Sequence, residues 1–176
     1  MDNSVYIRKA TARDCGIIVA LGKKTFTETY LETGSNPVVQ EYIEKKLSDE
    51  NIGEELCNPA AWFYIGFVDH EPVAFTRLRH DRVAKGLEDK RAIEVEHIYV
   101  LREYQGFKVG KEMMAKCIEV AMQEQFETIW LQVWQQNHKA IRFYIKAGFV
   151  VYETTLLHYD GDLQQHDFLM RMDLYY

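Results

Sequence analysis

The stretch AIEVEHIYVLREYQGFKVGKEMMAKCIEVA, residues 92–121, runs a strand, a glycine-bearing loop and a helix in direct succession. Ile93 and Val95 are apolar on odd positions with Glu94 and Glu96 between them. The parity then changes, and Ile98 and Val100 are apolar on even positions. Alternation marks a strand. A one-residue change of register inside it is what a β-bulge produces, and a strand buried on both faces, with Tyr99 amphipathic, gives the same pattern. Over 110–126, Met113, Met114, Cys117, Ile118, Ala121 and Met122 recur as one apolar stripe at helical spacing. Gln105-Gly-Phe-Lys-Val-Gly110 lies between the two. Glycines there let backbone N–H groups approach an anion, and a helix start adds partial positive charge, so the loop suits a phosphate. Lys108 and Lys111 add cations at the same place. The plain alternative is a tight turn with no ligand.

Two nucleotide motifs come close and fail. A P-loop places four residues between Gly and Gly-Lys and then a Ser or Thr. Here three residues separate Gly106 from Gly110-Lys111, and Glu112 follows, with no hydroxyl for magnesium. No G-x-G-x-x-G triple of a dinucleotide fingerprint is present.

Upstream, residues 5–9 alternate as a first strand. Thr11 with Asp14 three positions on is a helix-capping signature. Ile17, Ile18, Leu21 and Phe26 share one face of a helix reaching Tyr30. Gly34-Ser-Asn-Pro37 reads as a loop whose proline opens a second helix over 38–47, with further helix at 54–56. Residues 61–68 (AWFYIGFV) form a buried strand, Asp69-His-Glu-Pro72 a turn, 73–79 the returning strand and 83–90 a polar loop. Downstream, 128–133 is a strand, Asn137 caps a helix over 139–146, and Gly148 closes it. Strands 149–158 and 168–174 flank the hairpin signal Asp160-Gly-Asp162. The order β-α-α-β-β-β-α-β-α-β-β is an α/β (α+β) mixed sheet with helices on it.

A chain of 176 residues without linker, repeat or biased tract reads as a single domain, 1–176. A net charge of −6 argues against nucleic acid, whose phosphates need a basic face. Cys15, Cys57 and Cys117 are widely spaced with no metal-ligand pattern, which points to reduced thiols in a cytoplasmic protein and to no metal. The N-terminus lacks the apolar core of a signal peptide, and no apolar run approaches the ~18 residues of a membrane span.

The loop and the later segment Asn137-x-x-Ala140-x-x-Phe143-Tyr144-x-Lys146-x-Gly148-Phe149 together resemble the GCN5-related N-acetyltransferase (GNAT) superfamily over nearly the whole chain. The resemblance implies the acyl-CoA N-acyltransferase fold and direct transfer of acetyl from acetyl-CoA to an amine. In that family the strand before the loop is bulged, and a Gln/Arg-x-x-Gly-x-Gly/Ala loop holds the CoA pyrophosphate. The cofactor-binding positions implied here are Ile98, Tyr99, Val100, Gln105, Gly106, Phe107, Lys108, Val109, Gly110, Lys111, Asn137, Ala140, Phe143, Tyr144 and Lys146. The family pattern has glycine where this chain has Lys108.

The chemistry narrows the catalytic candidates. An alkyl amine with a pKa of about 10.4 is neutral in only ~1 molecule in 10³ at pH 7, a penalty of about 4–5 kcal/mol that a base removes. Glu96, beside the parity change, and Glu94 are the candidate bases, the alternative being a solvated strand face. His97 is a second candidate. The resemblance implies the backbone N–H of Ile98 or a neighbour as oxyanion donor, and Tyr144 as proton donor to the departing thiol. Trp134 and Tyr152 are aromatics that shape an acceptor site or fill core. Glu28, Glu32, Glu41 and Glu44 would suit a cationic acceptor, the alternative being exposed helix carboxylates, and residues 96–106 look like bacterial spermidine/spermine acetyltransferases of the PaiA type. A small-molecule amine, with a polyamine favoured, is the expected partner, and the resemblance, to a family whose members are often dimers, allows a homodimer. A protein N-terminal or lysine acetyltransferase and a CoA-sensing module without catalysis are the competing functions.

Overall fold

The threonine and asparagine caps read from the sequence mark where two helical segments begin. In the computed structural model, which describes residues 4–30, 37–158 and 164–175, the chain folds into seven strands and five α-helices among those residues. They are β1 (Tyr6–Lys9), α1 (Cys15–Tyr30), α2 (Pro37–Lys46), α3 (Asp49–Cys57), β2 (Ala61–Val68), β3 (Glu71–Arg79), β4 (Ala92–Val100), α4 (Val109–Gln123), β5 (Thr128–Trp134), α5 (His138–Lys146), β6 (Val150–His158) and β7 (Gln164–Asp173). Contacts group these residues into two compact units, Met1–Arg79 with His97–Cys117, and His80–Glu96 with Ile118–Tyr176.

In the first unit the strand order is β1-β2-β3-β4. Strands β1, β2 and β3 pair antiparallel, and Val68 opposite Glu71 leaves a two-residue turn at Asp69-His70, tighter than the four-residue turn expected. Both turn residues have positive φ, 49° and 69°, as a hairpin of right-handed twist requires. The capping box at Thr11 and Asp14 forms as expected, on a 3₁₀ turn (Ala12–Asp14) that leads into α1. The second helical segment differs from expectation. It divides at Ser48, whose Oγ accepts from the Asn51 N–H at 3.2 Å, and Asp49 and Glu50 then begin α3. A polar run reads as loop, yet a serine cap followed by acidic residues is a favourable helix start. Ile18, Phe26, Ile65, Val73, Phe75, Val109 and Met113 lie in one buried cluster. Gly66 admits α4 against the strands: a Cβ there would come within 2.8 Å of the Met113 sulfur.

In the second unit the order is β4-β5-β7-β6. Parallel pairing of β4 with β5 spans Ala92–Glu94, and β5, β7 and β6 continue antiparallel. Asn137 caps α5 by accepting from the Ala140 N–H at 3.1 Å, and α5 closes at Gly148, as the sequence indicates. The hairpin signal Asp160-Gly-Asp162 and Glu32 lie outside the described residues. Ala84, Leu87, Trp130 and Leu169 form a small core cluster against which Tyr152 packs. No described helix is long and apolar enough to cross a membrane.

Candidate active site

The loop before α4 is built by short-range bonds. Arg102–Tyr104 forms a 3₁₀ turn, and the Phe107 N–H donates to Tyr104 O at 3.4 Å. The Gln105 carboxamide reaches back to Val100 O at 3.0 Å and ties the loop to the end of β4. From α1, Glu28 accepts from the Arg102 N–H at 2.9 Å, and Lys24 pairs with Glu103 at 3.0 Å. The first helical bond of α4 runs from the Glu112 N–H to Lys108 O, 3.0 Å. The N–H groups of Val109, Gly110 and Lys111 therefore precede the helical ladder, which is the arrangement that receives an anion.

Lys108 explains the departure from the glycine pattern. Its φ is +64°, in the left-handed region where glycine is at ease and a side chain is strained. The lysine keeps the backbone course that glycine favours, with its side chain exposed. Gly106, at φ +95°, has open space where a Cβ would stand, so the approach to the loop backbone is unobstructed. Phe107 is 53% exposed beside it. A run of unused N–H groups, two exposed lysines and an open backbone fit a pyrophosphate. Ile98, Tyr99 and Val100 pack half-buried on the first unit's core, where Tyr99 meets Phe26 and Phe75 at centroid distances of 6.3 and 5.5 Å.

The β4 carboxylates are enclosed rather than solvated. The Glu94 and Glu96 side chains are 5% and 12% exposed, and both reach Arg82 Nη1, at 3.3 and 3.0 Å. Arg82 was not legible as part of this group, because it falls in a polar stretch with no pattern. His97 is engaged elsewhere. Its Nε2 lies 3.1 Å from Arg77 Nη2, and since a guanidinium only donates, Nε2 accepts and the ring proton sits on Nδ1. His97 can take a second proton only when Arg77 moves away. Arg77 is itself buried, over the Phe63 ring and 3.4 Å from Glu55.

On α5, Asn137 uses its side-chain oxygen as the helix cap, which leaves its NH₂ group as donor. Ala140, Phe143 and Tyr144 are half-buried, and Lys146 is exposed. The Tyr144 ring packs against Phe143 and Phe149, with centroids 5.4 and 6.1 Å away. Of the other aromatics, Trp134 is exposed, and Tyr152 lies under the Arg171 guanidinium.

The family model described as Acetyltransferase (GNAT) family matches residues 24–149. The chain belongs to the GNAT family. As a GNAT enzyme it is an acetyl-CoA-dependent N-acetyltransferase with the mixed α/β fold of that family. It is 26% identical over 170 residues to an uncharacterized N-acetyltransferase in the pepI 3′ region of Lactobacillus delbrueckii subsp. lactis, covering 97% of this chain and 98% of that one. It is 25% identical to a spermidine N(1)-acetyltransferase of Thermoplasma acidophilum, covering 86% and 91% of the two chains. Among solved structures, the PaiA N-acetyltransferase of Thermoplasma acidophilum in complex with coenzyme A superposes with a TM-score of 0.77 at 24% identity, over 97% of this chain and 99% of that one. GNAT membership accounts for the pairing of the loop with the Asn137–Phe149 segment in the sequence.

Proposed function

We propose that this GNAT enzyme acetylates a small, multiply charged primary amine of the polyamine class. Glu96 takes the amine proton, and Tyr144 donates to the departing thiolate. The observation that carries the reading is the enclosed pair Glu94 and Glu96 sharing one arginine. Two carboxylates held where water is scarce attract a cationic amine and offer it a proton acceptor. Glu96 is the more accessible of the two, and Glu94 with Arg82 holds the local charge. The similarity to a spermidine acetyltransferase supports the same substrate class. The acidic residues of α1 and α2 support it less: Glu28 holds Arg102, and Glu41 pairs with Lys45.

Acetyl-CoA, when bound, supplies an activated thioester. The N–H groups of Val109, Gly110 and Lys111 would hold its pyrophosphate, aided by Lys108 and Lys111. A phenol of pKa ~10 gives its proton to a thiolate of conjugate pKa ~8.5 uphill by about 2 kcal/mol. Tyr144 therefore acts first as a hydrogen-bond donor to the developing charge and completes the transfer late. The free state of Cys15, Cys57 and Cys117 supports a reducing, cytoplasmic setting.

The test is thiol release from acetyl-CoA with spermidine, spermine, monoamines and peptides bearing a free N-terminus or lysine. The polyamines are expected to give the highest kcat/KM. Glu96→Gln is expected to lower kcat about 10²-fold and Tyr144→Phe about tenfold. A peptide outperforming every polyamine overturns the substrate class. No thiol release with any amine overturns the catalytic assignment.

A further inference from the structure

The Thr76 hydroxyl on β3 is fully buried and donates to the main-chain oxygen of His97 on β4 at 2.6 Å. A strand carbonyl ordinarily takes an N–H lying in the plane of the sheet. A strand side chain stands roughly perpendicular to that plane. A short bond from the side chain of the neighbouring strand draws the carbonyl toward that side chain and restrains its rotation. The His97 C=O and the Ile98 N–H belong to one planar trans peptide and point in opposite directions, so holding the first aims the second. The bond falls where the apolar parity of β4 changes, between Glu96 and Ile98.

A second group holds the hydroxyl itself. Cys117 Sγ on α4, fully buried, lies 3.4 Å from Thr76 Oγ1. The hydroxyl has one proton, and it is committed to His97 O, so the thiol is the donor in this contact. Burial pushes the Cys117 thiol up to about 12, and it keeps its proton at neutral pH. Donation thus runs in one direction, from Cys117 to Thr76 to the His97 carbonyl.

We infer that Thr76 is a positioning residue for acetyl transfer: through the His97 carbonyl it sets the direction of the Ile98 N–H, which with its neighbours is the oxyanion donor that the family resemblance implies, and Cys117 locks the hydroxyl rotor. The inference rests on the acetyl-transfer reading and adds to it two residues that touch neither substrate nor cofactor.

The experiment compares Thr76→Val, which keeps the shape and loses the hydroxyl, with Thr76→Ser, which keeps the hydroxyl. Thr76→Val is expected to lower kcat about tenfold or more, because a misaimed oxyanion donor loses much of its effect. Its acetyl-CoA KM and its calorimetric Kd for CoA should stay within about twofold, because the pyrophosphate loop is untouched. Thr76→Ser is expected to recover kcat to within about threefold. The ¹H–¹⁵N resonance of the Ile98 amide should move in Thr76→Val and stay in Thr76→Ser. Cys117→Ala, which frees the rotor, should move it the same way. Wild-type kcat in Thr76→Val, an equal loss in Thr76→Ser, or an Ile98 resonance unmoved in both Thr76→Val and Cys117→Ala overturns the inference. If the wild type acetylates no amine, the catalytic reading is what fails, and the Ile98 resonance still decides whether Thr76 sets that peptide.

Discussion

Replacing Lys108 by glycine removes a backbone strain that the rest of the loop imposes. Lys108 sits at φ +64°, and its side chain is exposed, so the substitution takes away no packing. Left-handed conformation costs an L-residue about 1–2 kcal/mol. Glycine is free of that cost, but its greater freedom in the unfolded chain returns about 0.5–1 kcal/mol. The net gain is about 0.5–1 kcal/mol, or a Tm rise of about 1–4 °C for a domain of this size. Lys108→Ala is the control, since it removes the same charge and keeps the strain. Scanning calorimetry of the three proteins should show the glycine variant above wild type and the alanine variant at or below it. The lost cation has a separate signature. One exposed charge near a phosphate contributes about 1 kcal/mol or less in water, so Kd for CoA should weaken by at most about fivefold at low salt. The difference should shrink as salt rises. A glycine variant that melts below wild type, or an alanine variant that gains as much as glycine, refutes the strain argument.

Asp14 anchors the start of the first unit: Arg8 meets it through two bonds of 2.7 and 2.9 Å, and the Thr11 N–H donates to it at 2.8 Å. The Arg8 hydrogen bonds, with those from Thr11, hold its carboxyl well below the usual carboxylate range against the opposing effect of burial. A depressed folded pKa means that the stabilisation is complete above the unfolded value, about 3.9, and is lost as pH falls through the folded one. With Arg8 partly exposed, Asp14→Asn should cost about 2 kcal/mol at pH 7 in urea denaturation, and its deficit should narrow at pH 3. Cys117 is buried with its thiol pushed up, whereas Cys57 is exposed. Iodoacetamide at pH 8 followed by mass spectrometry should therefore label Cys57 first and Cys117 only on unfolding, and rapid labelling of Cys117 in folded protein would contradict its place in the interior.

Much of this protein is written in local signals. Thr11 and Asp14 cap the 3₁₀ turn that leads into α1, Asn137 caps α5, and the strand–loop–helix run of residues 92–121 has its elements where periodicity put them, because each depends on residues a few positions apart. The three N–H groups that open α4, on which the proposed phosphate site rests, were legible for the same reason. The start of α3 was missed because a cap inside a polar run has no apolar stripe before it.

Other features depend on partners distant in the chain, and there only the fold decides. Glu94 and Glu96 alternate like a solvated face in the sequence, but the fold leaves them little exposed and brings both to Arg82. His97 looks like a ready base until Arg77, twenty residues away, occupies its Nε2. The parity change in β4 became a definite peptide orientation only through Thr76, twenty-one residues earlier in the chain. Lys108 looked like a defect in a glycine pattern, and the backbone shows it holding the glycine conformation at some cost. By itself the sequence determined the elements other than the separate helix α3, and the kind of cofactor, since caps, periodicity and helix-terminus N–H groups act within a few residues. The tertiary structure decided which carboxylates share a cation and which carbonyl a buried hydroxyl holds, since those bonds join residues that only folding brings together.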